Sequence, residues 1–248
     1  MLRSFLRVPT ARKVLTKAAP LPTVSLANHE LLSLKQLSDL EKLQGHFDAS
    51  MRDARDVYYE DQHRYRRYGV VFRENGLWRV VRRPTPFFQA ARLNSYLGGV
   101  VREYPRLLDD CVLSPAFQDL CTQFTATFPH YDFGEVHVHM IRVVCEPQTN
   151  GTVVVPEGVH QDGFDAIAMA CVRRHNIDGA KTSIHATRDT PPILEAVVQD
   201  GFVMCVDDKA LWHYVSPMTR ATDIADDVDA HRDIIILHSV HDASNAAA

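Results

Sequence analysis

The sequence has no CxxC pair, no apolar run long enough to cross a bilayer and no surplus of basic charge. Each absence removes a class of protein. Cys111, Cys121, Cys145, Cys171 and Cys205 are scattered singly, which fits buried thiols in a reducing compartment rather than a disulfide framework. The longest apolar stretches, such as that around Asp233 to Leu237, are strand-sized, well short of the roughly 20 residues of a spanning helix. With 27 basic against 31 acidic residues the formal charge is −4, so no basic excess invites a nucleic acid. Repeats and low-complexity tracts are also missing, and Ser244 to Ala248 reads as a frayed tail.

What is present is a chain of 248 residues, 46% hydrophobic, enough to bury one sizeable core without requiring a second domain. The expected organisation is a basic segment over 1–30 and one domain over 31–243. That domain would be helix-rich over 31–130 and strand-rich over 131–243. Met1 to Pro20 carries Arg3, Arg7, Arg12, Lys13 and Lys17, with Glu30 the first acidic residue. It reads either as a loose basic tail or as an organellar targeting segment; a cytoplasmic location is otherwise expected.

Local signals place the elements. Ser33 to Gln36 has the form of a capping box ahead of a helix carrying Leu37, Leu40 and Leu43. Residues 56–83, rich in Tyr and Arg, predict strands or turns, and Pro86 to Tyr104 predicts a helix ending near Gly98-Gly99. Ser114-Pro115 is an N-cap with a first-turn proline, after which Phe117, Leu120, Cys121, Phe124 and Phe128 recur at helical spacing. From Glu135 the period becomes two: Val136, Val138 and Met140 alternate with His137, His139 and Ile141. Further strand-like runs cover Thr152 to Val155, Ala166 to Val172, Thr182 to Ala186, Phe202 to Val206 and Ile234 to Leu237. The expected class is α+β, a double-stranded jelly-roll (cupin-like) core with the N-terminal helices on one sheet.

One constellation carries chemistry. His160 and Asp162, two residues apart, follow the turn Pro156-Glu157-Gly158, and on an extended strand they point the same way. His213 arrives later, in Leu211-Trp-His-Tyr-Val-Ser-Pro217. Two imidazoles and a carboxylate on one side of a metal leave positions open for a cosubstrate and oxygen, the facial arrangement of non-haem iron(II) oxygenases. Arg232, at the start of an apolar strand, suits the distal carboxylate of 2-oxoglutarate because a planar guanidinium pairs with it bidentately. Ser216 and Thr182 are candidate hydrogen-bond partners of that cosubstrate, or strand-end hydroxyls serving the backbone. His137 and His139 could support a ligand or be satisfied core histidines. Arg142 could bind a carboxylate or decorate an edge. Gln161, between two ligands, would border the substrate; Arg66, in the cluster Tyr65 to Tyr68, could take a substrate carboxylate, and Asp165 a substrate ammonium.

These residues together resemble the 2-oxoglutarate/iron dioxygenases that hydroxylate free amino acids, the L-isoleucine 4-hydroxylase family. The resembling pieces are His160 to Asp165, Arg174 to Ile177 with Gly179 and Thr182, Asp207-Asp208, His213 to Pro217 and Arg232-Asp233. Upstream, Tyr65 to Tyr68, Phe88-Gln89, Asn94 and Gly98-Gly99 are also similar, so the likeness spans about residues 55–240. Ala180 departs from it, standing where the family tends to repeat glycine. The resemblance implies bound iron(II), 2-oxoglutarate as cosubstrate, O2, and ascorbate as a supporting reductant. The expected reaction hydroxylates an aliphatic C–H of a free L-amino acid and releases succinate and carbon dioxide. Two rivals are the same chemistry on another small metabolite and a cupin-like metal protein without 2-oxoglutarate chemistry.

Overall fold

The computed structural model describes residues 13–14, 23–26 and 29–239, apart from 60–62, 147–150 and 223. Most of the basic N-terminal segment and the tail at Ser244 to Ala248 lie outside the described residues. The elements are β1 (Lys13–Val14), β2 (Thr23–Leu26), β3 (His29–Gln36), α1 (Leu40–Ser50), β4 (Arg64–Glu74), β5 (Leu77–Val80), α2 (Asp109–Val112) and α3 (Pro115–Thr127). They continue with β6 (Glu135–Val144), β7 (Ala166–His175), β8 (Ile177–Gly179), β9 (Thr182–His185), β10 (Pro192–Val197), β11 (Phe202–Asp207), β12 (Trp212–Val215), β13 (Met218–Arg220) and β14 (His231–His238).

An eight-stranded sheet of order β2-β3-β11-β7-β14-β6-β4-β5 and a four-stranded sheet of order β1-β10-β9-β12 form the body, with β13-β8 as a small third pair. Alternation along the strands of the large sheet sorts its two faces. Val136, Val138 and Met140 of β6, with Ile235 and Leu237 of β14, join Leu43, Phe47, Phe117, Leu120 and Phe124 of the helices in one buried cluster. In β7 the sequence alternates small and large: Ala166, Ala168 and Ala170 belong to that helix-side cluster, while Ile167, Met169 and Cys171 belong to the core on the opposite face. Alanine leaves room for the helices to approach; each Phe that they bury against the sheet contributes about 2–3 kcal/mol. This is the expected jelly-roll core with helices on one sheet.

α3 starts as its sequence indicates, with the Ser114 hydroxyl accepting from Phe117 N–H and Pro115 in the first turn. Two expectations fail. Ser33 to Gln36 is not a capping box but the end of β3, paired antiparallel with β11, and α1 begins only at Leu40, where Asp39 makes no side-chain cap. Pro86 to Tyr104 forms no helix but consecutive turns. The Asn94 carboxamide oxygen accepts from Tyr96 and Leu97 N–H, at 2.9 and 2.7 Å, a bond that competes with helix continuation. A Cβ on Gly98 would run into the Asn94 carbonyl oxygen, so this turn requires glycine there. The run Thr152 to Val155 makes only an isolated bridge, Thr152 to Met218.

Candidate metal centre and its cleft

A two-way backbone bridge brings the imidazoles together. His160 N–H donates to the His213 carbonyl at 3.0 Å and His213 N–H donates back at 2.9 Å, leaving the ring centroids 4.3 Å apart. Asp162 is turned into the same space. Asp208 fixes that turn by accepting from the backbone N–H groups of Asp162, Gly163 and Phe164 at 3.2, 2.7 and 3.1 Å. One ligand atom from each of His160, Asp162 and His213 then lies within 4.8 Å of the others, a spacing that could hold a metal ion. His160 Nδ1 donates to the Gly158 carbonyl at 2.9 Å, so Nε2 is the nitrogen turned to the centre, able to ligate once it gives up its proton.

The electrostatics follow from crowding. Burial opposes charge on Asp162, but His238, then His160 and His213, outweigh it and hold the carboxyl well below its usual range. For His160, too, burial is outweighed, here by the hydrogen bond and charge of Asp162, and its pKa is pushed up to about 9. His213 goes the other way, to about 3, because burial and the neighbouring His160 disfavour its charge. Burial and the charge of Asp162 push Asp208 up to about 8.

The cluster opens into a cleft between the sheets. Its inner wall carries Arg232, Ile234, Ile236 and His238 from one face of β14, opposite His139, Ile141 and Val143 of β6. Arg232 is 2% exposed, and its Nε and Nη1 have no hydrogen-bond partner. Burial lowers its pKa, and no carboxylate among the described residues pairs with it. Arg66 lines the cleft as well, paired with Asp56 at 3.1 Å and lying over the Tyr104 ring.

Five residues expected at a ligand sit elsewhere. Arg142 is on the outer face of β6, bonded to Asp233 and Asp48. Asp165 pairs with Lys209, and Gln161 donates its amide to the carbonyls of Asp208 and Leu211. Ser216 accepts from Lys181 N–H and donates to the Pro217 carbonyl. Thr182 is fully buried. None of the five is among the residues lining the cleft; Arg142, Asp165, Gln161 and Ser216 have partners of their own, whereas Thr182 shares the face of its cross-strand neighbour Val215, with its hydroxyl unpartnered.

Several cleft residues escaped sequence reasoning. His238 Nε2 lies 3.0 Å from Asp162 Oδ2, with its ring stacked on Phe164 at 4.2 Å. Its position was available from the period of β14, since Arg232, Ile234, Ile236 and His238 are spaced by twos. Gln89, Asn94 and Arg102 come from the turns between 86 and 104, where a helix reading hides them. Gln89 Nε2 donates to the Asp162 carbonyl at 3.1 Å, tying this segment to the metal-ligating turn.

The model of the 2OG-Fe dioxygenase family matches residues 50–238, and the chain belongs to that family. Among solved structures it is similar in fold to a bsmA homolog from Methylobium petroleophilum PM1, with 22% identity, a TM-score of 0.66, and 85% of this chain and 88% of that one covered. IDO from Bacillus thuringiensis is similar at 14% identity and a TM-score of 0.66, covering 86% and 94%. The Fe(II)/(alpha)ketoglutarate-dependent dioxygenase TqaL follows at 18% and 0.54, covering 82% and 74%. Comparison with the curated proteins gave no match. Membership implies iron(II)- and 2-oxoglutarate-dependent oxygenase chemistry on a small molecule with O2. The residues present fit both groups: a two-imidazole, one-carboxylate donor set suits iron(II), and the orphaned guanidinium of Arg232 suits a carboxylate.

Proposed function

We propose that this chain hydroxylates an aliphatic C–H bond of a free L-amino acid, using 2-oxoglutarate as cosubstrate. His160, Asp162 and His213 hold iron(II), and Arg232 receives the distal carboxylate of 2-oxoglutarate. The observation that carries the reading is Arg232, a buried guanidinium without a carboxylate, in the same cleft as the His-Asp-His cluster. Iron(II) and 2-oxoglutarate bound here would supply O2 activation: one oxygen atom of O2 would enter the C–H bond and the other would end in succinate, with carbon dioxide released.

The chain's own residues bind, orient and exclude water. His238 and the Asp208-held turn fix Asp162, and the Gly158 carbonyl fixes the tautomer of His160. Val143, Val215, Ile141 and Ile234 make apolar walls, which strengthen an Arg232–carboxylate pair by keeping water from it. Arg66 already has Asp56 as its partner, so the carboxylate-binding role expected of it is weaker than that of Arg232.

The test is turnover. Protein loaded anaerobically with iron(II) is given 2-oxoglutarate, ascorbate, air and a panel of free L-amino acids, and mass spectrometry follows succinate and the gain of one oxygen. Succinate coupled to one oxidised amino acid is expected. Succinate coupled only to another metabolite would remove the amino-acid reading, and no succinate despite bound iron would remove the cosubstrate role of Arg232.

A further inference from the structure

The cleft holds a second buried guanidinium without an ion-pair partner and, in the same lining, a carboxylate without one. Arg102 is 1% exposed; its Nη2 donates to Gln89 Oε1 at 3.0 Å and its Cζ lies 4.7 Å from the centroid of the Phe87 ring. Its Nε has no partner, and no carboxylate among the described residues forms an ion pair with it. Glu157, half-buried on the same cleft, accepts from Asn94 Nδ2 at 2.8 Å and forms no ion pair among the described residues, although its charge also acts on Arg66 and His160. A guanidinium in a low-dielectric wall without a counter-charge is costly. Arg66, by contrast, has a counter-charge, Asp56, at 3.1 Å.

Two neutral amides join the opposite charges. Gln89 Oε1 receives Arg102 and, at 3.4 Å, Asn94 Nδ2, whose other contact is Glu157. Both amides are fully committed. Gln89 gives its nitrogen to the Asp162 carbonyl, and Asn94 gives its oxygen to the N–H groups of Tyr96 and Leu97. Neither can swivel to neutralise Arg102 or Glu157, whose remaining valences are left for a ligand. Beside Arg102, His139 is 2% exposed with both ring nitrogens unpartnered, and its ring centroid lies 4.4 Å from that of Phe87. Buried polar groups without partners in the chain are open to a ligand or to ordered water.

We propose that Arg102 and Glu157 form a zwitterion site: Arg102, with His139 beside it, takes the carboxylate of a free α-amino acid, and Glu157 takes its ammonium group. This deepens the amino-acid reading above and rests on it. It adds a selection rule, because a residue within a peptide has neither charge and is refused. It also turns the aliphatic side chain of the bound amino acid toward the metal-ligating turn, to which Gln89 anchors the site.

Calorimetry under nitrogen tests it, on protein loaded with iron(II) and 2-oxoglutarate. The probes are L-isoleucine, L-leucine, L-proline and L-lysine, each with its carboxamide and N-acetyl derivative. For the free amino acid that binds, the carboxamide is expected to bind about 100-fold more weakly and the N-acetyl form about tenfold more weakly. Arg102→Met should weaken the free acid by about 100-fold and erase its advantage over the carboxamide, with Arg102→Lys intermediate, since lysine keeps charge but loses the fork. Glu157→Gln should erase the discrimination against the N-acetyl form, and 2-oxoglutarate affinity should be unchanged in all three. A carboxamide that binds wild-type protein as tightly as its acid overturns the site without needing any variant to fold. Hydroxylation of an amino acid with wild-type affinity by Arg102→Met and Glu157→Gln overturns the site and leaves the amino-acid reading standing. Succinate formed with another metabolite while no amino acid binds removes both.

Discussion

On the outer face of the eight-stranded sheet, Arg142 and Asp233 are cross-strand neighbours joined by two contacts of 2.7 Å, and Asp48 of α1 with Arg173 completes the network. One residue along the same strand, on the inner face, Arg232 is as deeply buried and has no carboxylate. The difference shows which charges serve the fold and which wait for a ligand. Outside, every charge of this group is matched within the chain. Inside, Arg232, Arg102 and Glu157 are not.

The largest expected effect breaks the inner face outright. His213→Ala removes one of three ligands and should abolish iron binding and turnover, read by metal analysis and succinate formation; wild-type iron content would refute it. The sharper comparison is between neighbours. Asp233→Ala leaves Arg142 with the half-exposed Asp48 alone and should cost about 1–3 kcal/mol of unfolding free energy, measured in denaturant, with activity per folded molecule kept. Arg232→Met removes a buried charge the fold does not neutralise, so unfolding free energy should rise or hold. Equal losses for both would erase the distinction between the faces.

Protons compete with metal at the same centre. With the His160 pKa pushed up to about 9, ligation must release its proton through the neutral range. Manganese(II) affinity should therefore rise about tenfold per pH unit from about pH 6 and level off near pH 9. A flat titration would contradict the pairing of His160 with Asp162. Last, His238→Phe keeps the stack on Phe164 but loses the bond to Asp162; a fall in metal affinity or turnover of about tenfold is expected, with melting temperature unchanged.

Much of this was legible in the residues. The alternation of Val136, Val138 and Met140 with His137, His139 and Ile141 separated helix-facing from cleft-facing positions. Ser114-Pro115 opened α3 where the sequence said it would. The HxD pair and distal His came together because a backbone bridge between 160 and 213 forces it. The failures have one physical origin, local signals outcompeted by partners distant in sequence or misread in kind. Ser33 to Gln36 has helix-capping chemistry, yet the ladder to β11 takes it as strand. Ala90, Ala91 and Leu93 favour helix, yet Asn94 and Gly98 impose turns, and with them went the positions of Gln89 and Arg102. Asp165 and Arg142 have the right charge for a substrate but were given partners, Lys209 and Asp233, that only the folded chain reveals.

The central claim is that Arg232 is held buried and unpaired for the cosubstrate. Calorimetric titration of 2-oxoglutarate into iron(II)-loaded protein under nitrogen, for wild type and Arg232→Met, tests it most directly. Equal iron content with 2-oxoglutarate bound about 100-fold more weakly by the variant is expected. Equal 2-oxoglutarate affinity in the two proteins would contradict it.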